Sequence, residues 1–128
     1  MIELSDYWMG RDQVYQKDMT PEIEANALEL IDRVNLLLES FGEDRRVNSG
    51  WRPPQVNART PNAARSSKHM LGLAVDLDDP EGDLDQWCLE NENELERLRL
   101  WQEHPASTKG WCHLQSIPPK SGRRVFYP

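Results

Sequence analysis

The chain has 128 residues, a formal net charge of −7 and 29 % charged residues, which is enough for one domain over residues 1–128 with a single core. The acidic balance excludes a duplex nucleic-acid partner, which needs a basic face, and no apolar run approaches the ~20 residues of a membrane span. The start, Met1-Ile-Glu-Leu-Ser-Asp-Tyr-Trp8, lacks a basic stretch followed by an apolar core, so it is no Sec signal peptide; a cytoplasmic protein is expected, one that meets an extracellular target only on release by lysis.

Residues 1–19 are polar and aromatic without clear periodicity and read as an ordered N-terminal arm. Thr20-Pro21-Glu22 opens a helix, with Thr as N-cap, Pro in the first turn and acids at the positive end of the dipole. Ile23, Ala27, Leu30, Ile31, Val34, Leu37, Leu38 and Phe41 recur at three- and four-residue steps, one apolar stripe for the core, and Gly42 ends it. Arg46–Arg52 reads as a strand running into a turn, which Pro53-Pro54 blocks. Residues 55–68 suggest a surface loop with a helical turn. Leu73, Val75 and Leu77 alternate with Ala74, Asp76 and Asp78, the period of a strand with Asp76 opposite the apolar face. A turn over 79–83 follows, and Asp83 is expected to cap a second helix carrying Leu84, Trp87, Cys88, Leu95 and Leu98. Leu98–Glu103 and Gly110–Gln115 are the remaining strands, and 116–128 an irregular tail.

The fold class is α+β: a long N-terminal helix, a second shorter helix and a small, mainly antiparallel sheet. Cys88 and Cys112 form no CxxC motif and read as two reduced, buried thiols. The acidic run Asp78, Asp79, Glu81, Asp83, Asp85 lacks the ligand spacing of a calcium loop and reads as a solvated turn with a helix cap. Trp8, Trp51, Trp101 and Trp111 are assigned to core or cleft wall, with sugar stacking as the functional alternative for Trp51.

His69 stands seven residues before Asp76, and His113 lies on a later strand. Two imidazoles and a carboxylate are the ligand set of a catalytic zinc ion that keeps one coordination position open. Taken together, Ser49-Gly-Trp-Arg-Pro53, Ser67-x-His-x-x-Gly-x-Ala-x-Asp76 and Trp111-Cys-His113 resemble the D-Ala-D-Ala carboxypeptidase group of zinc metallopeptidases. That group belongs with the lysostaphin-type endopeptidases and the zinc-bearing hedgehog domain, and the resemblance spans residues 47–115.

The resemblance implies a hedgehog/D,D-peptidase-like fold and Zn2+ held by His69, Asp76 and His113, with a zinc-activated water as nucleophile. It implies a peptidoglycan stem peptide as substrate, cut at D-Ala-D-Ala or L-Ala-D-Glu, by a monomer of bacterial or phage origin. Arg52 carries over as the guanidinium that faces the substrate carbonyl or a terminal carboxylate and stabilises the oxyanion. Ser67 and Gln55 are placed on the substrate side, Ser67 in a turn where its hydroxyl holds local backbone. Gly72 supplies a conformation or a close approach that a side chain would block.

One position departs from the pattern. The carboxylate that the family commonly places three residues before the last histidine is Gly110 here. Glu103 is the expected replacement as base and acid, with His104 as the other candidate. The rival reading is a non-catalytic zinc-binding or cell-wall-binding module, in which His104 or Cys112 closes the coordination sphere. A phage lysis or tail component is the contextual alternative.

Overall fold

Thr20 starts the longest element. In the computed structural model, which describes residues 1–128, its side chain accepts a hydrogen bond from the Ile23 amide, and helix α3 runs Pro21–Phe41 to a left-handed Gly42. Short helices α1 (Leu4–Trp8) and α2 (Arg11–Val14) precede it. The α3 face Ile23, Ala27, Leu30, Ile31, Val34, Leu37 and Leu38 is buried. Each leucine so removed from water contributes roughly 1.5–3 kcal/mol, well above any helix-propensity difference.

The arm is helical rather than merely ordered. Glu3 and Asp6 form a reciprocal capping box at the start of α1, and Tyr7 and Trp8 are buried in the core. One turn is too short to display a period, so the pattern was silent there. The Tyr7 hydroxyl donates to the Ala74 carbonyl at 2.8 Å.

The sheet consists of β1 (Val47–Ser49), β2 (Ala74–Asp79), β3 (Trp101–Glu103), β4 (Gly110–Gln115) and β5 (Val125–Phe126), ordered β1-β2-β4-β3-β5. Three pairings are antiparallel, and β3–β5 is parallel, so the sheet is mixed. That last strand corrects the irregular tail. Two residues carry no alternation, and the free edge of β3 recruits them: the Gln102 and His104 amides donate to the Arg124 and Phe126 carbonyls.

Four boundaries also differ from expectation. Pro54 opens helix α4 (Pro54–Arg59), because a proline in the first helical turn lacks only an amide that would go unused there. The second helix is two, α5 (Asp83–Glu90) and α6 (Glu92–Leu98), broken at Asn91 with φ −128° and ψ 47°. Leu98 belongs to α6, and left-handed Arg99 separates it from β3. Finally, α5 is capped by Asp79, whose carboxylate accepts from the Leu84 and Asp85 amides at 3.1 and 2.9 Å. Asp83 instead pairs with Arg45 at 2.9 Å.

The helices cover one face of the sheet, where Val75, Leu77, Cys112 and Leu114 join the core. No helix is long and apolar enough to cross a membrane. The other face is left for a site.

Candidate metal centre

Antiparallel register puts the site in a row. Ser49 on β1 pairs with Asp76 on β2, and Asp76 pairs with His113 on β4. Directly opposed residues project to the same face, so the three side chains meet over the face that the helices leave open. Gln102 pairs with Leu114, and Glu103 follows on β3, extending the row toward β5.

His69 arrives from outside the sheet, on the 3₁₀ turn Lys68–Leu71. The Ser67 hydroxyl accepts from the His69 amide at 3.2 Å, and the Arg52 amide donates to the His69 carbonyl at 3.1 Å. Gly72 ends the turn at φ +74°, where a Cβ would also lie 2.7 Å from the Ile23 carbonyl oxygen; conformation and close approach both demand glycine. His69 Nδ1 faces the Gly50 carbonyl at 2.9 Å.

The ligand atoms of His69, Asp76 and His113 all lie within 4.8 Å of one another, and all three residues are buried. His69 Nε2 is 3.3 Å from Asp76 Oδ2, and His113 Nδ1 is 2.7 Å from Asp76 Oδ1. Burial would push the Asp76 carboxyl up, but its contacts with the two imidazoles, the hydrogen bond with His113 first, outweigh it and hold the group well below the usual carboxylate range.

The two rings are oriented from behind. A carbonyl can only accept, so His69 keeps its proton on Nδ1 toward Gly50 and presents an Nε2 lone pair inward; burial lowers its pKa and favours this neutral form. His113 Nε2 contacts Gln115 Oε1 at 2.9 Å, and Gln115 Nε2 donates to the Ile117 carbonyl at 2.8 Å, which fixes the amide's orientation. His113 therefore donates from Nε2 and turns Nδ1 toward Asp76. Burial alone would lower its pKa, but Asp76, Gln115 and Glu103 together raise it.

These donors fit a divalent ion such as zinc. Two imidazole nitrogens and one carboxylate converge, each ring's far nitrogen is occupied by an oxygen acceptor, and one side opens to a cleft. That cleft, of about 760 Å³, is lined by Arg52, Ser67, Glu103 and Trp111 among others. Arg52 donates from Nε to the Ser49 hydroxyl at 3.0 Å and from Nη2 to Asp76 Oδ2 at 3.3 Å. Burial, followed by the Asp76 charge, raises the Glu103 carboxyl above its ordinary value against the opposing pull of His113.

Other residues singled out in the sequence lie elsewhere. Gln55 is exposed on α4 and is not among the cleft-lining residues. His104 stacks on Tyr127 with ring centroids 4.4 Å apart, and its Nδ1 accepts from the Ala106 amide. Cys112 is buried in the core on the opposite face of β4 and, like Cys88, is a free thiol. Trp51 is fully buried, its indole donating to the Met70 carbonyl, which removes sugar stacking.

Two contributors went unnoticed in the sequence. Gln115 was legible in principle, two residues beyond His113 on the same strand face. The tail gave no signal, yet Pro118–Ser121, Phe126 and Tyr127 form part of the cleft wall.

A family model described as Peptidase M15 matches residues 9–113. No curated protein and no solved structure matches the chain.

Proposed function

Since the chain belongs to the Peptidase M15 family, we propose that it is a zinc-dependent peptidase that hydrolyses an amide bond in a peptidoglycan stem peptide, of D-Ala-D-Ala carboxypeptidase or L-Ala-D-Glu endopeptidase type. The observation that carries this reading is the meeting of His69 Nε2, the Asp76 carboxylate and His113 Nδ1 at the floor of a cleft that also holds Arg52 and Glu103. His69, Asp76 and His113 would hold the ion, which when bound supplies Lewis acidity toward an amide carbonyl and toward water.

The chain's own groups do the rest. Glu103 takes a proton from the attacking water and returns it to the leaving amine, so one C–O bond forms as the C–N bond breaks. Its raised pKa brings it nearer the working pH, where a group that must both accept and give a proton is most effective. Arg52, fixed by Ser49 and Asp76, holds positive charge where the carbonyl oxygen becomes an oxyanion. Gln115 keeps the His113 proton on Nε2, and Gly50 keeps the His69 proton on Nδ1.

Gly110, in the position the family commonly gives to its catalytic carboxylate, favours a second reading: a zinc-binding module without turnover. One comparison separates the two. Wild type and Glu103→Gln are loaded with zinc, assayed for metal by mass spectrometry and incubated with stem peptide. Both should carry one ion per chain, and hydrolysis by the variant should fall about 10²–10⁴-fold. Full activity in the variant removes Glu103 from the mechanism. Zinc-loaded wild type that cleaves no stem peptide supports the binding module.

A further inference from the structure

The cleft's charge runs against the molecule's. The chain carries a net −7, yet the cleft lining has three basic side chains, Arg52, Lys68 and Lys120, against two acidic side chains, Asp76 and Glu103. Asp76 is already engaged by Arg52 and both histidines. No ion pair in the protein involves Lys68 or Lys120. Two lysines without an ion-pair partner, both lining one concavity of an otherwise acidic molecule, focus a local positive field there.

Both lysines belong to segments that join the same end of the sheet, where Ala74 pairs with Gln115. The Lys68 carbonyl accepts from the Leu73 amide, just before β2 begins, and the Leu73 carbonyl accepts from the Ser116 amide, just after β4 ends. Four residues further on, Lys120 sits at the tip of a turn closed by the Gly122 amide donating to the Pro119 carbonyl at 3.0 Å. Trp111 marks the other end, where it pairs with Asp78. Along the strand axis, then, the cleft is cationic at one end and aromatic at the other, with the His69–Asp76–His113 cluster between.

We propose that Lys68 and Lys120 form a carboxylate-recognition subsite, distinct from Arg52, which selects anionic peptides and seats a substrate carboxylate at the β2-start end of the cleft. The assignment rests on the peptidase reading for its location, not for its test. A peptide whose carboxyl groups are free gains charge-assisted hydrogen bonds from the two ammoniums, and a carboxamide in the same place does not.

The test uses two synthetic probes: the stem pentapeptide L-Ala-γ-D-Glu-L-Lys-D-Ala-D-Ala with both carboxyls free, and the same peptide with both amidated. Binding to the zinc-loaded protein is measured by calorimetry and hydrolysis separately by chromatography. Wild type should bind the free acid about tenfold more tightly than the amide, the size of one good charge-assisted contact. In the double variant Lys68→Gln/Lys120→Gln the two peptides should become equivalent, with any loss of turnover falling on KM rather than kcat. Lys17→Gln/Lys109→Gln, which changes the net charge equally outside the cleft, should keep the preference.

Equal binding of the two peptides by wild type, or binding of neither, overturns the subsite. So does a preference that survives the double variant, which would give carboxylate recognition to Arg52 or the metal. Discrimination without hydrolysis would sink the peptidase reading and leave the subsite standing. Hydrolysis without discrimination would do the reverse.

Discussion

Asp76 concentrates the electrostatics of the site in one side chain. Both histidines and Arg52 lie within 3.3 Å of it, and the contacts with the two imidazoles, His113 first, hold its carboxyl well below the usual range although burial opposes them. A depressed acid pKa contributes stability that is complete above the unfolded-state value of about 4 and is lost as pH falls through the window down to the folded value. The metal-free protein should therefore lose unfolding free energy in urea as pH drops below about 4. Asp76→Asn should be less stable at neutral pH and show a shallower acid limb, because it has no carboxyl there to titrate. Parallel acid limbs for the two proteins would remove Asp76 as the source. His69 and His113 shift in opposite directions, so their contributions near neutral pH partly cancel and the acid limb is the cleaner signal.

Among the elements, helix α1 supports the site from furthest away in sequence. The Trp51 amide donates to the Tyr7 carbonyl, and a Cβ on Gly50 would overlap that same carbonyl. The carbonyl of Gly50 in turn orients His69. Gly50→Ala must therefore push α1 and β1 apart, and both consequences can be measured. Chemical denaturation should show a loss of about 1–3 kcal/mol, the usual cost of overpacking, and zinc titration should show weaker binding because His69 loses its acceptor. Gly42→Ala is the matched control. Its φ of +94° makes alanine strained, but nothing lies within 4 Å of the new Cβ. It should cost about 1 kcal/mol and leave zinc affinity unchanged. A Gly50→Ala protein with wild-type zinc affinity would show that α1 does not act on His69.

For the whole molecule, the ligands come from a 3₁₀ turn, β2 and β4, which only the folded chain brings within 4.8 Å. An ion that binds the native state alone stabilises it by mass action, about 4 kcal/mol when free zinc is near 1,000 times its dissociation constant. For a chain of this size, calorimetry should show the melting temperature rising by about 10–20 °C on adding zinc, and falling back with a chelator. The rise should vanish in His113→Ala; a rise that persists there would place the ion elsewhere. The long helix, the two ligand-bearing strands, the face on which Asp76 stands and the grouping of His69, Asp76 and His113 were legible in the sequence, because burial imposes a period on helices and strands and because those three donors stand in motifs that resemble a known family's. Three things were not. The sequence could not show that Gln115 and Gly50 turn the two rings, that Asp79 rather than Asp83 caps α5, or that the tail pairs with β3 and walls the cleft beside Lys120. Each depends on which distant backbone groups are left without partners once the sheet is assembled. Local pattern carries no record of that: a two-residue strand and a single orienting carbonyl are selected by their neighbours in space.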